Sequence, residues 1–68
     1  MFEELGVSFH SNIAKCYMNL QLYENSLEYS EKALDLGTNF TTRPLYYKAV
    51  SLAHLMEFDE ALKIFAEL

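Results

Sequence analysis

The feature that most constrains the fold of this chain is an internal repeat with an offset of 35 residues. Aligned with itself at that offset, without a gap, the sequence pairs residues of the same kind across both halves. The pairs include Ala14 with Ala49, Leu20 with Leu55, Tyr23 with Phe58, Glu24 with Asp59, and Leu27 with Leu62. Such a period is typical of architectures in which one small unit is stacked along the chain. The 68 residues therefore predict two copies of one unit in a single small domain.

Apolar residues within each copy recur at steps of three and four, the spacing of one face of an α-helix. The pattern runs through Phe9, Ile13, Cys16, Tyr17, Leu20, Tyr23, Leu27 and Leu34, and then through Leu45, Ala49, Leu52, Leu55, Phe58, Leu62 and Phe65. The alternation of period two that strands show is missing. The sequence predicts an all-α fold of four helices, at about 3–20, 23–36, 43–56 and 58–68.

Local chemistry places the connections between these helices. Gly37 is a good helix stop, and the polar stretch 38–42 that follows it is typical of a loop. We expect Thr42 to cap the third helix and Pro44 to lie in its first turn, where the missing N–H costs nothing. The breaks after Leu20 and Leu55 are short, so each helix pair is predicted to be an antiparallel hairpin.

Composition excludes several classes of function. No apolar run approaches the roughly 18 residues that a membrane span needs, and the acidic start of the chain is unlike a signal peptide. Cys16 is the single cysteine, so no internal disulfide is expected, and a reducing compartment such as the cytoplasm is predicted. The net charge of −5 argues against binding to nucleic acid, which relies on cationic side chains.

Charge is unevenly divided between the helices. Segments 7–23 and 38–56, which hold most of the first helix of each copy, contain Lys15, Arg43 and Lys48 but no acid. Segments 24–37 and 57–68, which hold the second helices, carry a net charge of −6. In solenoids of helix pairs the first helices line the concave face. The pattern predicts a basic groove that attracts an anionic peptide, although a solvated polar face would look the same.

The two copies resemble the tetratricopeptide repeat over about residues 7–68. Small residues at Ala14, Ala33, Ala49 and Ala61, with an aromatic ring at Tyr23 or Phe58, carry the resemblance. It implies a right-handed superhelix of two hairpins, at 7–40 and 41–68, the second incomplete or uncapped. The chain departs from the family in having His10 and Leu45 for the usual Trp, Thr38 for the usual Pro, and a period of 35 rather than about 34.

The narrower resemblance is to the repeat domains of FKBP-type immunophilins and related heat-shock co-chaperones. It implies a groove that binds the acidic C-terminal tail of a heat-shock chaperone. Asn12 matches the family's clamp asparagine and Arg43 its clamp lysine, whereas Tyr47 stands where the clamp has an arginine. Helical spacing places the groove candidates at Ser8, Ser11, Asn12, Lys15, Asn19, Arg43, Tyr46, Tyr47, Val50 and His54. If the parent protein is an immunophilin, its prolyl-isomerase domain lies upstream of this chain.

Two other binding functions stay open: a general scaffold for assembling protein complexes, and an RNA-binding repeat. A period of 35 also suits the pentatricopeptide repeats, which resemble this unit and bind RNA, but their basic surface is missing here. We further expect the apolar end formed by Ile64, Phe65 and Leu68 to be exposed, so that the chain is a fragment or self-associates.

Catalysis and metal binding are not expected. Cys16 with His10 or His54 would suggest a reactive thiolate, but Cys16 falls on an apolar stripe where a buried thiol is usual. A metal site needs three or four convergent ligands. The sequence thus predicts no enzyme, no cofactor, no metal and no membrane or nucleic-acid partner, and a protein or peptide as the ligand.

Overall fold

A computed structural model describes residues 2–68 of the chain, with side chains from residue 5 onward. It consists of four helices: α1 (Phe2–Asn19), α2 (Tyr23–Leu34), α3 (Thr42–His54) and α4 (Phe58–Glu67). No strand occurs in this part of the chain. The predicted all-α class is confirmed, and the helix bounds differ from the expected ones by at most two residues.

The turns that close α1–α2 and α3–α4 have the same backbone geometry. Gln21 and Met56, which are 35 positions apart, both adopt positive φ, at 63° and 69°. In the first turn Leu22 N–H donates to Tyr17 O at 2.8 Å, and in the second Glu57 N–H donates to Leu52 O at 2.8 Å. This six-to-one bond across a left-handed residue is the Schellman ending of a helix. The repeat seen in the sequence therefore extends to the backbone of both turns.

The α2–α3 connection is longer and turns at a glycine. Gly37 has a φ of +67°, a conformation that side-chain-bearing residues avoid, and its N–H donates to Leu34 O at 3.1 Å. The predicted stop at this glycine fits that geometry. The expected cap at Thr42 is wrong, because Thr42 is the first residue of α3 and the N-cap, Thr41, makes no side-chain cap bond. Pro44 lies in the first turn as expected and is buried.

The helices form a thin layer in which each packs against the next and α1 also packs against α3. The overall extents are 35 × 26 × 14 Å. The four small residues Ala14, Ala33, Ala49 and Ala61 are all at most 2% exposed. Small side chains let helix backbones approach closely, so the contacts between helices are made at these positions. Leu52 and Ile64 complete the apolar core with Ala49 and Ala61.

The α2·α3 contact has a polar centre. Ser26, Ser30 and Ser51 are fully buried. Ser51 Oγ donates to Ser26 Oγ at 2.9 Å, and Ser30 Oγ donates to Ser26 O at 2.8 Å. The Ser26–Ser51 bond joins the two hairpins. Because both hydroxyls are shielded from water, removing one of them leaves the other without a partner, which lowers the free energy of unfolding.

The Ser26→Ala variant should lose about 1–3 kcal/mol of unfolding free energy, because it leaves the Ser51 donor buried without an acceptor. The Ser26→Ala/Ser51→Ala double variant should be more stable than the sum of the single losses predicts, since both polar partners are then gone. Urea unfolding of the wild type and the three variants measures the coupling. Losses that add to within about 0.5 kcal/mol would show that the hydroxyls do not interact.

Several predicted exposures differ from the structure. Cys16 was expected to be buried and is exposed, whereas Ser11 was expected to face solvent and is fully buried. At the end of α4, Phe65 and Leu68 are exposed as expected, but Ile64 is buried. Among the described residues, no helix combines the length and the hydropathy that crossing a bilayer requires.

Candidate functional site

The two residues that the sequence placed in a clamp meet at the junction of α1 and α3. Arg43 Nη2 donates to Asn12 Oδ1 at 2.7 Å, across 31 positions of sequence. Both side chains are exposed. A guanidinium carries five N–H donors in a planar fork, so this one bond leaves most of them free for a ligand. The amide of Asn12 therefore orients the arginine without consuming its binding capacity.

Tyr47 supports the arginine from the protein side. The Arg43 guanidinium carbon lies 5.8 Å from the centroid of the Tyr47 ring, within the range of a cation–π contact. Tyr47 is 8% exposed and meets Tyr46 edge to face, with 5.9 Å between the centroids. Tyr47 was among the groove candidates, but its ring is buried and is therefore not offered to a peptide. Tyr46 is about half exposed and remains available for such a contact.

A cavity of about 320 Å³ adjoins Arg43 between α1 and the loop before α3. Ser8 and Ser11 line it from α1, and Phe40 lines it from the loop. Ser11 Oγ is buried and has no hydrogen-bond partner among the described residues. Buried hydroxyls are nearly always paired. The first turn of α3, which has no side-chain cap, begins at the same cavity, so its wall combines a cation, hydroxyls and the positive end of a helix.

The other predicted groove residues differ in their exposure and in their contacts with neighbouring helices. Lys15 and Asn19 are exposed on α1, three and seven positions after Asn12 and hence on the same stripe of the helix. Val50 is half-buried and lies seven positions after Arg43. His54 is exposed but stacks on Tyr23 at the start of α2, with 4.1 Å between centroids and 2° between planes, so one ring face is covered.

Lys48 does not contribute to the groove that the charge pattern predicts. Its Nζ lies 3.5 Å from Glu31 Oε2 on α2, and its side chain is 22% exposed. Five positions along a helix correspond to about 140° around its axis, so Lys48 and Arg43 point to different sides of α3. Of the basic residues counted from the sequence, Arg43 and Lys15 are the two on the side of Asn12.

An apolar surface that the sequence reasoning assigned to the core lies open on α1. We call it the α1 apolar face, formed by Phe9, Ile13, Cys16, Tyr17 and Leu20, which together with Asn12 line a shallow cavity of about 280 Å³. Phe9 is 63% exposed and Leu20 is 68% exposed. A surface of this kind marks a binding site more often than scattered apolar residues do.

Within the described residues no three His, Cys, Asp or Glu side chains are placed to hold a metal ion. His10, the suggested partner of Cys16, instead contacts Gly6 O through Nδ1 at 2.9 Å and stacks with Tyr29. The groove side of α1 and α3 therefore offers hydrogen-bond donors, one oriented guanidinium and apolar contact.

The chain is similar to the zinc finger CCCH domain-containing protein 7B of Homo sapiens, with 45% identity over 58 residues. The match covers 85% of this chain, which spans about 6% of the length of that relative. A CCCH finger needs three cysteines and a histidine, and this chain has one cysteine, so the shared stretch holds no such finger here. No family model matches the chain, and no solved structure matches it.

Proposed function

We propose that the chain is a non-catalytic protein-interaction module whose two hairpins form a right-handed superhelix of the tetratricopeptide type. Its groove along α1 and α3 binds the acidic C-terminal tail of a protein such as a heat-shock chaperone, within a cytoplasmic, co-chaperone-like parent. The observation that supports the proposal is the bond from Arg43 Nη2 to Asn12 Oδ1, which orients a free guanidinium edge at the surface.

A peptide carboxylate is the group that this arrangement suits best. Arginine binds carboxylates through two parallel N–H···O bonds, and a guanidinium already held by Asn12 and Tyr47 loses little rotamer freedom on binding. The cavity beside Arg43 adds the start of α3, which has no side-chain cap. The charge of the guanidinium and the positive end of the helix favour an anion over a neutral amide.

The charge distribution supports the same ligand. The chain is acidic overall, yet the acids on α2 and α4 lie away from Arg43 and Asn12 in sequence and on other helices. Lys15 adds a second cation to the groove side of α1. A negatively charged tail is therefore repelled by the second helices and attracted by the first, which raises its rate of association at low salt.

The Arg43→Ala variant should weaken binding of a short acidic peptide with a free C-terminus by about 5–150-fold, which corresponds to about 1–3 kcal/mol for a charge-assisted contact. Amidation of the peptide's C-terminus should weaken binding by a similar factor. Isothermal titration calorimetry measures both effects.

The matched control is Lys48→Ala, which removes a cation paired with Glu31 on the α2 side. It should change the affinity by less than about threefold, since a partly exposed pair contributes little. Equal affinities for the wild type and Arg43→Ala, and for the free and the amidated peptide, would remove the carboxylate proposal. Titration with single-stranded RNA tests the nucleic-acid alternative.

A general scaffolding function is the second candidate, and the exposure of the α1 apolar face favours it. Apolar surfaces of this kind are usually covered by another protein surface. In that case binding to a partner would survive Arg43→Ala and would be lost on substitution of residues in the α1 apolar face.

A further inference from the structure

Ser11 on α1 carries a buried hydroxyl without a hydrogen-bond partner among the described residues. The other fully buried serines are bonded: Ser51 donates to the Ser26 hydroxyl, and Ser30 donates to the Ser26 carbonyl four positions before it. Ser11 makes no such bond to the carbonyl of Val7, although a helix offers that acceptor at the same spacing. Buried hydroxyls nearly always have a partner, and a ligand that binds at the site explains the exception.

The Ser11 hydroxyl belongs to the cavity of about 320 Å³ between α1 and the loop before α3. Ser11 lines this cavity and is fully buried, so it forms the floor, whereas Ser8, three positions earlier, is only half-buried and lies nearer the mouth. Because Ser11 does not bond to its own helix, its hydroxyl is directed at the cavity. The cavity therefore has a polar floor that the fold does not use.

The start of α3 supplies further donors to the same cavity. Thr42 and Arg43, the first two residues of α3, both line it. Their N–H groups precede the first bond of the helix, which runs from Leu45 N–H to Thr41 O at 2.9 Å. Pro44 has no N–H, and Thr41 makes no side-chain cap bond. Among the described residues the two N–H groups thus have no carbonyl partner, and they lie at the positive end of a 13-residue helix.

The charge at the cavity has one sign. Arg43 is the charged residue that lines it, and no Asp or Glu side chain of the described part of the chain does so. Arg43 Nη2 is held by Asn12 Oδ1 at 2.7 Å, which leaves other N–H groups of the guanidinium for a ligand. An anion at this place therefore meets an oriented cation and no opposing carboxylate.

The number of donors favours a phosphate group over a carboxylate. The guanidinium, two backbone N–H groups and the hydroxyls of Ser8, Ser11 and Thr42 exceed what two carboxylate oxygens can accept. A phosphate on a side chain has three free oxygens and a charge of about −1.5 to −2 at neutral pH. A nucleic-acid phosphate has two free oxygens and one charge, so it matches this donor set less well.

The size of the cavity limits what carries the phosphate. Its volume of about 320 Å³ is at the small end for ligand sites, which span roughly 300–1,000 Å³. Val7, Phe40 and Pro44 form its apolar wall. A phosphate group and the few carbon atoms of a side chain that carries it suit this space and this wall.

We infer that this cavity binds a phosphate group with three free oxygens, as inorganic phosphate or as a phosphorylated side chain of a peptide. Ser11 donates from the floor, the first N–H groups of α3 donate from the wall, and Arg43 neutralises the charge. The inference shares Arg43 with the proposed function, but it needs neither an acidic tail nor a free C-terminus. Each can therefore fail without the other.

NMR spectroscopy of the isotope-labelled chain tests the site with sodium phosphate at about pH 7.5, where most of the phosphate is doubly charged. The amide signals of Thr42 and Arg43 should shift saturably, with half-saturation in the millimolar range. Sodium chloride at the same ionic strength should not shift them saturably, and sodium acetate should bind at least about tenfold more weakly. Phosphate shifts that do not saturate, or acetate binding as tight as phosphate binding, would overturn the inference.

Ser11→Ala distinguishes a ligand-binding hydroxyl from a structural one. It should weaken phosphate binding about threefold or more, and it should not lower the melting temperature, because the hydroxyl has no partner in the described protein. The matched control is Ser30→Ala, the same change at a buried serine bonded within its own helix, which should alter the phosphate affinity by less than about twofold. An unchanged phosphate affinity in Ser11→Ala, or a lowered melting temperature, would contradict the role given to this hydroxyl.

A short phosphoserine peptide with both ends blocked identifies the source of the phosphate, since it has no terminal carboxylate. If a phosphorylated side chain is the ligand, this peptide should bind more tightly than inorganic phosphate, and its unphosphorylated form should not shift Thr42 and Arg43. Weaker binding than inorganic phosphate would support the site with the free ion as its ligand. Tighter binding of single-stranded RNA than of the phosphopeptide would overturn the assignment.

Discussion

The Leu52→Ala variant should lose about 2–5 kcal/mol of unfolding free energy, the cost of removing a buried leucine and leaving a cavity. Leu52 is 4% exposed and sits between Ala49, Ala61 and Ile64 in the core of the second hairpin. Its carbonyl also accepts the bond from Glu57 N–H that closes the α3–α4 turn. A domain of this size has a small stability margin, so the variant should be largely unfolded at physiological temperature.

Thermal unfolding followed by circular dichroism measures the effect, and the melting temperature should fall by at least about 8 °C. The matched control is Leu62→Ala, the same change at a position that is 65% exposed. At micromolar protein concentration it should shift the free energy of unfolding by no more than about 0.5 kcal/mol. Equal losses in the two variants would mean that the core does not lie between α3 and α4.

The Ala49→Leu variant should be destabilised by about 3 kcal/mol or more, the upper end of the range for overpacking. Ala49 has no exposed surface, and it lies where α3 contacts α4. Three added carbons cannot be accommodated in rotamer minima without moving the helices apart. The displacement would also disturb the α2·α3 contact, because Ser51 and Lys48 are carried on the same helix.

Urea unfolding of Ala49→Leu, compared with the same change at exposed Ala66, separates packing from helix propensity. Leucine and alanine are both good helix formers, so Ala66→Leu should be nearly neutral at dilute protein concentration. A stable Ala49→Leu variant with an unchanged spectrum would show that the close approach of α3 and α4 is not required.

The helices and their connections could be predicted from local signals. Apolar spacing placed all four helices, and Gly37 marked the end of the first hairpin. These features depend on residues within about one turn of each other, where backbone hydrogen bonding and steric limits act. The predicted cap at Thr42 was wrong because the neighbouring Thr41 occupies the N-cap position instead.

Side-chain exposure was predicted less well. Cys16 was expected to be buried and is exposed, and Ser11 was expected to face solvent and is buried. Tyr47, a groove candidate, is also buried. A periodic stripe shows that a helix is amphipathic, but α1 has two neighbours, α2 and α3, and a third side that stays open. On α1 the small residue Ala14 is buried, whereas the large apolar residues Phe9 and Leu20 are exposed. Hydropathy alone does not tell which apolar residues of a helix are buried.

The candidate site, too, was predicted from the sequence only in part. The sequence identified Asn12 and Arg43 as residues of one groove, and the structure places their side chains in contact. The sequence also counted Lys48 among the groove's bases, whereas the structure pairs it with Glu31. A count of charges along a segment cannot separate residues that point to opposite sides of the same helix.

By itself, the amino-acid sequence determined that this chain is a duplicated helical hairpin, because repeated spacing and turn chemistry act locally and recur at one offset. The tertiary structure alone decided which side of each helix is covered, and hence where the Arg43–Asn12 contact and the exposed apolar residues of α1 and α4 lie. The reason is physical: burial depends on which neighbour a helix meets and at what distance, and that contact is made between residues far apart in the chain.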